Sequence, residues 1–266
     1  MQTAKFFKFT TLCAAAVVAA SAHAGVVHNS NIVGNVIFGS GNSDGGWTIN
    51  QVGNMELALR AKVRYDATGQ AQPIYNANGD GIFNHAAGNP GGSLSGRGRW
   101  NFEWSVNSDA SGTGGAKLSA YEFVLGVDSD AGVGTSFSSY SLIGNSPFAS
   151  APYDHTFGNN STAEGGGTKA TAASFATLLG ASNLMQNSTN MDFVDDGALF
   201  GSDFNPNIDG NYSFFLEARA ANGEVIGRTD ITVIVGNGAA TAVPEPTSLA
   251  LIGLALAGLA ASRRRA

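Results

Sequence analysis

Apolar and polar residues alternate most cleanly between Met55 and Tyr65. Met55, Leu57, Leu59, Ala61, Val63 and Tyr65 occupy every second position, with Glu56, Arg60, Lys62 and Arg64 between them. A strand points successive side chains to opposite faces, so this period of two predicts a half-buried antiparallel strand with one polar face. Trp100, Phe102, Trp104 and Val106 repeat the pattern, as do Tyr121, Phe123, Leu125 and Val127. Ile32 to Phe38 is a short apolar run that would serve as a strand. Trp47 and Ile49 begin another, and a brief one is predicted near Ile74. Tyr212 to Arg219 and Glu224 to Val235 flank Asn222-Gly223, a pair that readily takes the positive φ angles of a tight hairpin turn.

Helical spacing occurs once in the body of the chain. Within Thr168 to Met185, Phe175, Leu178 and Leu179 recur at that period and Gly180 supplies a stop. Asp66 to Gly98 and Asp128 to Asn160 are long, irregular stretches that read as loops. Six or seven strands, each with one apolar face, predict an all-β fold: an antiparallel β-sandwich, jelly-roll or Ig-like, with long loops and one short helix.

The two ends obey different rules. Lys5 and Lys8 precede an apolar run from Phe9 to Ala20, and Ala22-His23-Ala24 forms an A-x-A cleavage site, so residues 1–24 read as a signal helix removed by signal peptidase. Cys13 lies inside that apolar run, without the small residues before it that a lipoprotein site needs. The β-sandwich is assigned to residues 25–235 and a flexible stalk to 236–242. Pro244, Glu245 and Pro246 then open the tail, 243–266, which continues into an apolar run from Leu249 to Ala261 and ends on Arg263, Arg264 and Arg265. As a helix, that run is about 20 Å long against a hydrocarbon core of roughly 30 Å. It is a marginal single transmembrane helix, and the positive-inside rule keeps its arginines cytoplasmic and everything before Pro244 outside. Such a span suits a temporary handle, with an ordinary C-terminal anchor as the alternative.

The ordered triplet, short apolar helix and terminal Arg cluster resemble the PEP-CTERM sorting signal of Gram-negative bacteria. The resemblance implies recognition by an exosortase, a membrane transpeptidase-like protease, and the company of exopolysaccharide production. In it Pro244, Glu245 and Pro246 are recognition elements for another protein's active site. The blocks from Trp100 to Asp109 and Asp203 to Ala218 are also similar to exported domains that precede such tails. The expected route is export through the inner membrane, transient anchoring by the tail, then the cell surface or the extracellular space.

Composition narrows the partners. After Cys13 the chain has no cysteine, so an exported domain must be held by its packed core without disulfides. Charged residues make up 13% of the chain and glycine 36 of its 266 residues, which fits a β-protein with long loops. Between Gly25 and Ala242 there are 9 Lys and Arg against 19 Asp and Glu, a net charge of −10. That balance argues against nucleic acid and anionic membrane surfaces as partners.

Candidate chemistry is sparse. Gly41-Asn42-Ser43-Asp44-Gly45 matches the G-x-S-x-G nucleophile elbow, yet the residues after it read as a strand where that motif needs a helix. His28, His85 and His155 lie in no zinc-binding spacing. Asn76, Asn78 and Asp80 stand at the alternate positions of a calcium loop, with Gly81 at the bend and Ile82 offering a carbonyl. The twelfth position, however, is Ala87 where a bidentate acid belongs. Asp192, Asp195, Asp196, Asp203 and Asp209 form an acidic cluster and Asp128 with Asp130 another, and turns favour Asp without any ligand. Trp100 and Trp104 share one strand face, where they either stack on a glycan or belong to the core. The expected function is a non-enzymatic surface or matrix protein without a required cofactor. The alternatives are a carbohydrate-binding module and an exported hydrolase.

Overall fold

Among the described residues, thirteen strands form two sheets that pack face to face. The computed structural model describes residues 25–39, 41–66, 68–70, 72–90, 97–144, 148–151, 153–190 and 204–239. The expected signal helix and the sorting tail lie outside them. No helix among the described residues is long and apolar enough to cross a membrane.

With strands numbered in chain order, the first sheet runs β1 (Val27–Ser30), β2 (Trp47–Val52), β3 (Met55–Val63), β5 (Trp100–Asn107), β11 (Leu184–Asn190), β9 (Thr156–Gly158) and β10 (Thr168–Lys169), antiparallel throughout. The second runs β4 (Ile82–His85), β13 (Val225–Val235), β12 (Gly210–Arg219), β6 (Glu122–Asp128), β7 (Ser138–Ser141) and β8 (Ala149–Ser150). It is antiparallel except where β4 pairs with β13 and β7 with β8.

The alternating apolar residues do what their period predicts. Leu57, Leu59 and Ala61 from β3 and Trp100, Phe102, Trp104 and Val106 from β5 face Leu125, Phe214, Leu216 and Val233 of the other sheet in one core. Phe102 and Phe214 stack across the interface with centroids 4.4 Å apart. Each large apolar side chain buried this way contributes roughly 1.5–3 kcal/mol. The hairpin of β12 and β13 forms as expected, with Gly223 at φ +84°.

Elsewhere the structure departs from the pattern. Ile32 to Phe38 is not a strand. It crosses the outer face of the first sheet as irregular chain and buries Ile32, Val36 and Phe38 against Trp47, Ile49 and Ala58 in a second, smaller core. The polar face of β3 is consequently covered rather than solvated, and Glu56, Arg60 and Lys62 are all buried. The helix is shorter than its periodicity suggests, spanning Phe175–Ala181, because Thr168–Lys169 and Leu184–Asn190 are taken by β10 and β11. The expected loop from Asp128 to Asn160 contains β7, β8 and β9.

Candidate functional site

The site lies where the irregular segments 31–39 and 41–46 cover the first sheet. A segment without a ladder partner still has to satisfy its backbone, and here the outward polar residues of the strands do so. Both carboxylate oxygens of Glu56 accept from the Val33 N–H, at 3.1 and 3.0 Å. Gln186 accepts from the Ile37 N–H at 2.8 Å and donates to the Asn35 carbonyl at 3.0 Å. Burial pushes Glu56 up to about 7, outweighing the Val33 hydrogen bond, with Asp44 adding to the rise.

Deeper on the same face sits a charged cluster. Arg60 and Glu103 are directly opposite each other across β3 and β5, and both side chains are fully buried. Arg60 Nε donates to Glu103 Oε2 at 2.6 Å, and its Nη1 donates to the carbonyls of Ser43 and Gly45 at 3.0 and 2.7 Å. The guanidinium lies 4.1 Å from the Trp47 ring centroid and 4.6 Å from that of Tyr75, so aromatic faces replace part of its lost hydration. Lys62 Nζ reaches Glu103 Oε1 at 2.5 Å and Asn42 Oδ1 at 2.5 Å. Burial acts to raise Glu103, but Arg60 and Lys62 together hold it below the usual carboxylate range. Burial lowers Lys62 from its ordinary value, with Glu103 opposing.

Beside this cluster opens a cavity of about 350 Å³ whose wall includes Asn42, Ser43, Lys62, Arg64, Asn101 and Ser188. Phe38, Pro73 and Tyr75 supply its apolar part. Among the described residues, no Asp or Glu lines it. Asn101 is fully buried; its Nδ2 donates to Ser188 Oγ at 2.5 Å and to Glu103 Oε1 at 3.3 Å, while its Oδ1 has no hydrogen-bond partner.

Sequence reasoning did not gather these residues. Ser43 entered it only through the elbow match. Its hydroxyl lies 3.2 Å from that of Tyr75, and no histidine reaches it among the described residues. The chain beyond it enters β2 and not a helix, so the elbow geometry is absent. The signal for the cluster was the pair Arg60 and Glu103, visible only once the register of β3 on β5 is known.

The other candidates stay apart from the cavity. Trp100 and Trp104 are 0% and 1% exposed and belong to the core between the sheets, which corrects the glycan-stacking reading. The Trp100 indole donates to the Pro206 carbonyl at 2.8 Å, and Trp104 meets the buried His155 edge-on. Asn76, Asn78 and Asp80 shape a turn leading into β4. Asn78 Oδ1 accepts from the Asn84 amide at 2.8 Å, and Asp80 Oδ1 accepts from the Ile82 N–H at 3.1 Å. Asp128 and Asp130 accept from backbone N–H groups of the turn after β6, and Asp209 accepts from Asn237 at 2.7 Å. Asp192, Asp195, Asp196 and Asp203 lie outside the described residues, as do Pro244, Glu245, Pro246 and Arg263 to Arg265. Among the described residues, no three His, Cys, Asp or Glu side chains converge as metal ligands.

His85 and His155 are both buried, and burial lowers each to about 4. His155 lies with Nε2 3.1 Å from the Leu142 carbonyl and Nδ1 3.2 Å from the Asn187 amide, the arrangement of a neutral ring donating from Nε2. His85 stacks on Trp100 with neither ring nitrogen hydrogen-bonded. His28 sits 3.3 Å from Thr48 Oγ1.

Against known protein families, residues 242–265 match the PEP-CTERM protein-sorting motif. No curated protein matches the chain.

Proposed function

We propose, from a chain that carries a PEP-CTERM sorting motif and is thereby marked for export and exosortase processing, that the β-sandwich is a non-enzymatic surface or matrix domain associated with exopolysaccharide. Residues 25–242 are the tail's cargo. The observation that supports a non-catalytic role is Ser43: the nucleophile of the G-x-S-x-G match pairs with a tyrosine hydroxyl and, among the described residues, has no base beside it. Signal peptidase removes residues 1–24, and the membrane holds the tail only until the exosortase acts near Pro244 to Pro246.

The carbohydrate-binding alternative is favoured by one specific observation, the polar cavity around Lys62 and Arg64. Its seat is there rather than at Trp100 and Trp104. Intact mass spectrometry of the protein recovered from envelope and medium tests the sorting half. The expected product begins at Gly25 and lacks the Arg cluster, and a strain without its exosortase retains the tail. A full tail in a strain with a working exosortase refutes it. Loss of surface retention when polysaccharide synthesis is blocked is the expected result for the matrix half, and unchanged retention refutes that half.

A further inference from the structure

We infer that the cavity beside the Arg60–Glu103–Lys62 cluster is a binding site for a small carboxylate that also carries hydroxyl groups, a sugar acid in size and chemistry. The inference deepens the carbohydrate-binding reading and rests on it. Charge distribution is the first ground. The segment 25–242 carries 19 acids and 9 Lys and Arg, yet among the described residues this wall contains two of those cations and no acid. Arg60 and Lys62 share one buried carboxylate, Glu103, so with Arg64 the cluster and the wall carry three cations to one acid. Asp44, the nearest further acid along the covering segment, is turned to the Trp47 indole and the Gly45 N–H, both at 2.8 Å.

Unused hydrogen-bonding capacity is the second ground. Arg64 lies over the Tyr65 ring and has no carboxylate partner among the described residues, which leaves its planar fork free for a bidentate carboxylate. Asn101 Oδ1 is an acceptor without a donor, in a residue fully removed from solvent. Its orientation is not arbitrary, because Nδ2 has to face the acceptor-only Glu103. An orphaned buried acceptor costs about 1–3 kcal/mol, and because Asn101 lines the cavity a small side-chain shift on binding brings its Oδ1 to a ligand hydroxyl and recovers that cost. Sulfate, with no proton to donate, answers Arg64 but not Asn101, and a neutral sugar answers Asn101 but not Arg64. A hydroxylated carboxylate answers both, and about 350 Å³ is at the small end of ligand pockets. The same chemistry comes as a free sugar acid or as a uronate residue of a polymer.

Isothermal titration of the full chain in mild detergent with D-glucuronate, D-glucose, sulfate and a polyuronate tests this. The expected result is saturable glucuronate binding, with glucose and sulfate at least tenfold weaker. Arg64→Gln, a change at a partly exposed side chain, is expected to weaken glucuronate at least tenfold while leaving the circular dichroism and thermal midpoint unchanged. Polyuronate binding of comparable strength per residue identifies the polymer as source, and binding of the monomer alone identifies the free acid. Equal affinity for glucose, equal affinity for sulfate, no binding of glucuronate, or an Arg64→Gln variant that binds as before would each overturn the inference. None of these results touches the sorting half of the proposed function, which is read from the mass of the exported product.

Discussion

Arg60 keeps a full positive charge where no water reaches it, between two aromatic rings and opposite one carboxylate. Taking one partner from a buried pair leaves the other uncompensated, whereas replacing both by apolar groups is often nearly neutral. Glu103→Gln is therefore expected to destabilise the protein by about 3–5 kcal/mol in urea unfolding. The double change Arg60→Met with Glu103→Leu should cost less than that single one. A loss below about 1 kcal/mol for Glu103→Gln would mean that water or a rearranged loop takes over the guanidinium.

Glu56, His85 and His155 shape the pH response between about pH 4 and 7. Glu56, raised to about 7, holds a proton in the folded state that its unfolded counterpart has released above about 4.5, so its contribution falls as pH rises from there to 7. His85 and His155, lowered to about 4, stay neutral when folded while the unfolded rings protonate below about 6.5. Their contribution is complete above 6.5 and is lost as pH falls toward 4. Between about pH 4.5 and 6.5 two histidine slopes oppose one glutamate slope, each up to about 1.4 kcal/mol per pH unit. Glu56→Gln removes the opposing slope, so stability in this window should fall about twice as steeply with acid as in the parent. Urea midpoints at several pH values measure it, and an unchanged slope would show that Glu56 is ionised in the fold.

At the scale of elements, β12 and β6 are locked by a glycine under a ring. Gly126 pairs with Phe215, and a Cβ at Gly126 would lie 1.9 Å from that ring. The ring in turn carries the Arg228 guanidinium at 3.8 Å and the edge of Phe137. Gly126→Ala must displace Phe215 and is expected to cost about 1–3 kcal/mol and to change the near-ultraviolet dichroism. A variant as stable as the parent would show that this outer stack is dispensable.

The elements also show what the residue pattern could carry. Strands β3, β5, β6, β12 and β13 were legible because their inner positions keep a period of two and their hairpin turn has a chemical signature. Short edge strands such as β1, β8 and β10 have too few residues for any period to emerge. The covered polar face was hidden for a different reason. Glu56, Arg60, Lys62 and Glu103 look like solvent-facing positions locally, and chain distant in sequence, around Val33, Ser43 and Tyr75, makes them interior. The cavity inherits that difficulty, since its wall joins β3, β5, β11 and the segments near Phe38 and Tyr75.

For the molecule as a whole, the closing contacts join residues far apart along the chain. The Ile37 N–H bonds Gln186 across 149 positions, and Thr229 bonds the Thr48 carbonyl across 181. Non-local pairing has to overcome loop-closure entropy before it is rewarded, so refolding after a denaturant jump is expected on a millisecond-to-second scale or slower. A dominant microsecond phase that restores native fluorescence would contradict the non-local order of assembly.

The place of β13 in its sheet has a mechanical consequence. It lies between β12 and β4, and it is the strand from which the chain continues toward the sorting motif. Tension on that tether enters along an interior strand flanked by ladders on both sides, ten residues of β12 and four of β4. Pulling in line with a strand loads its crosslinks together in shear, whereas peeling an edge breaks them one at a time. In the proposed route, in which the tail anchors the domain during sorting, a pull on that tether therefore loads two ladders of the sandwich together rather than one residue pair at a time.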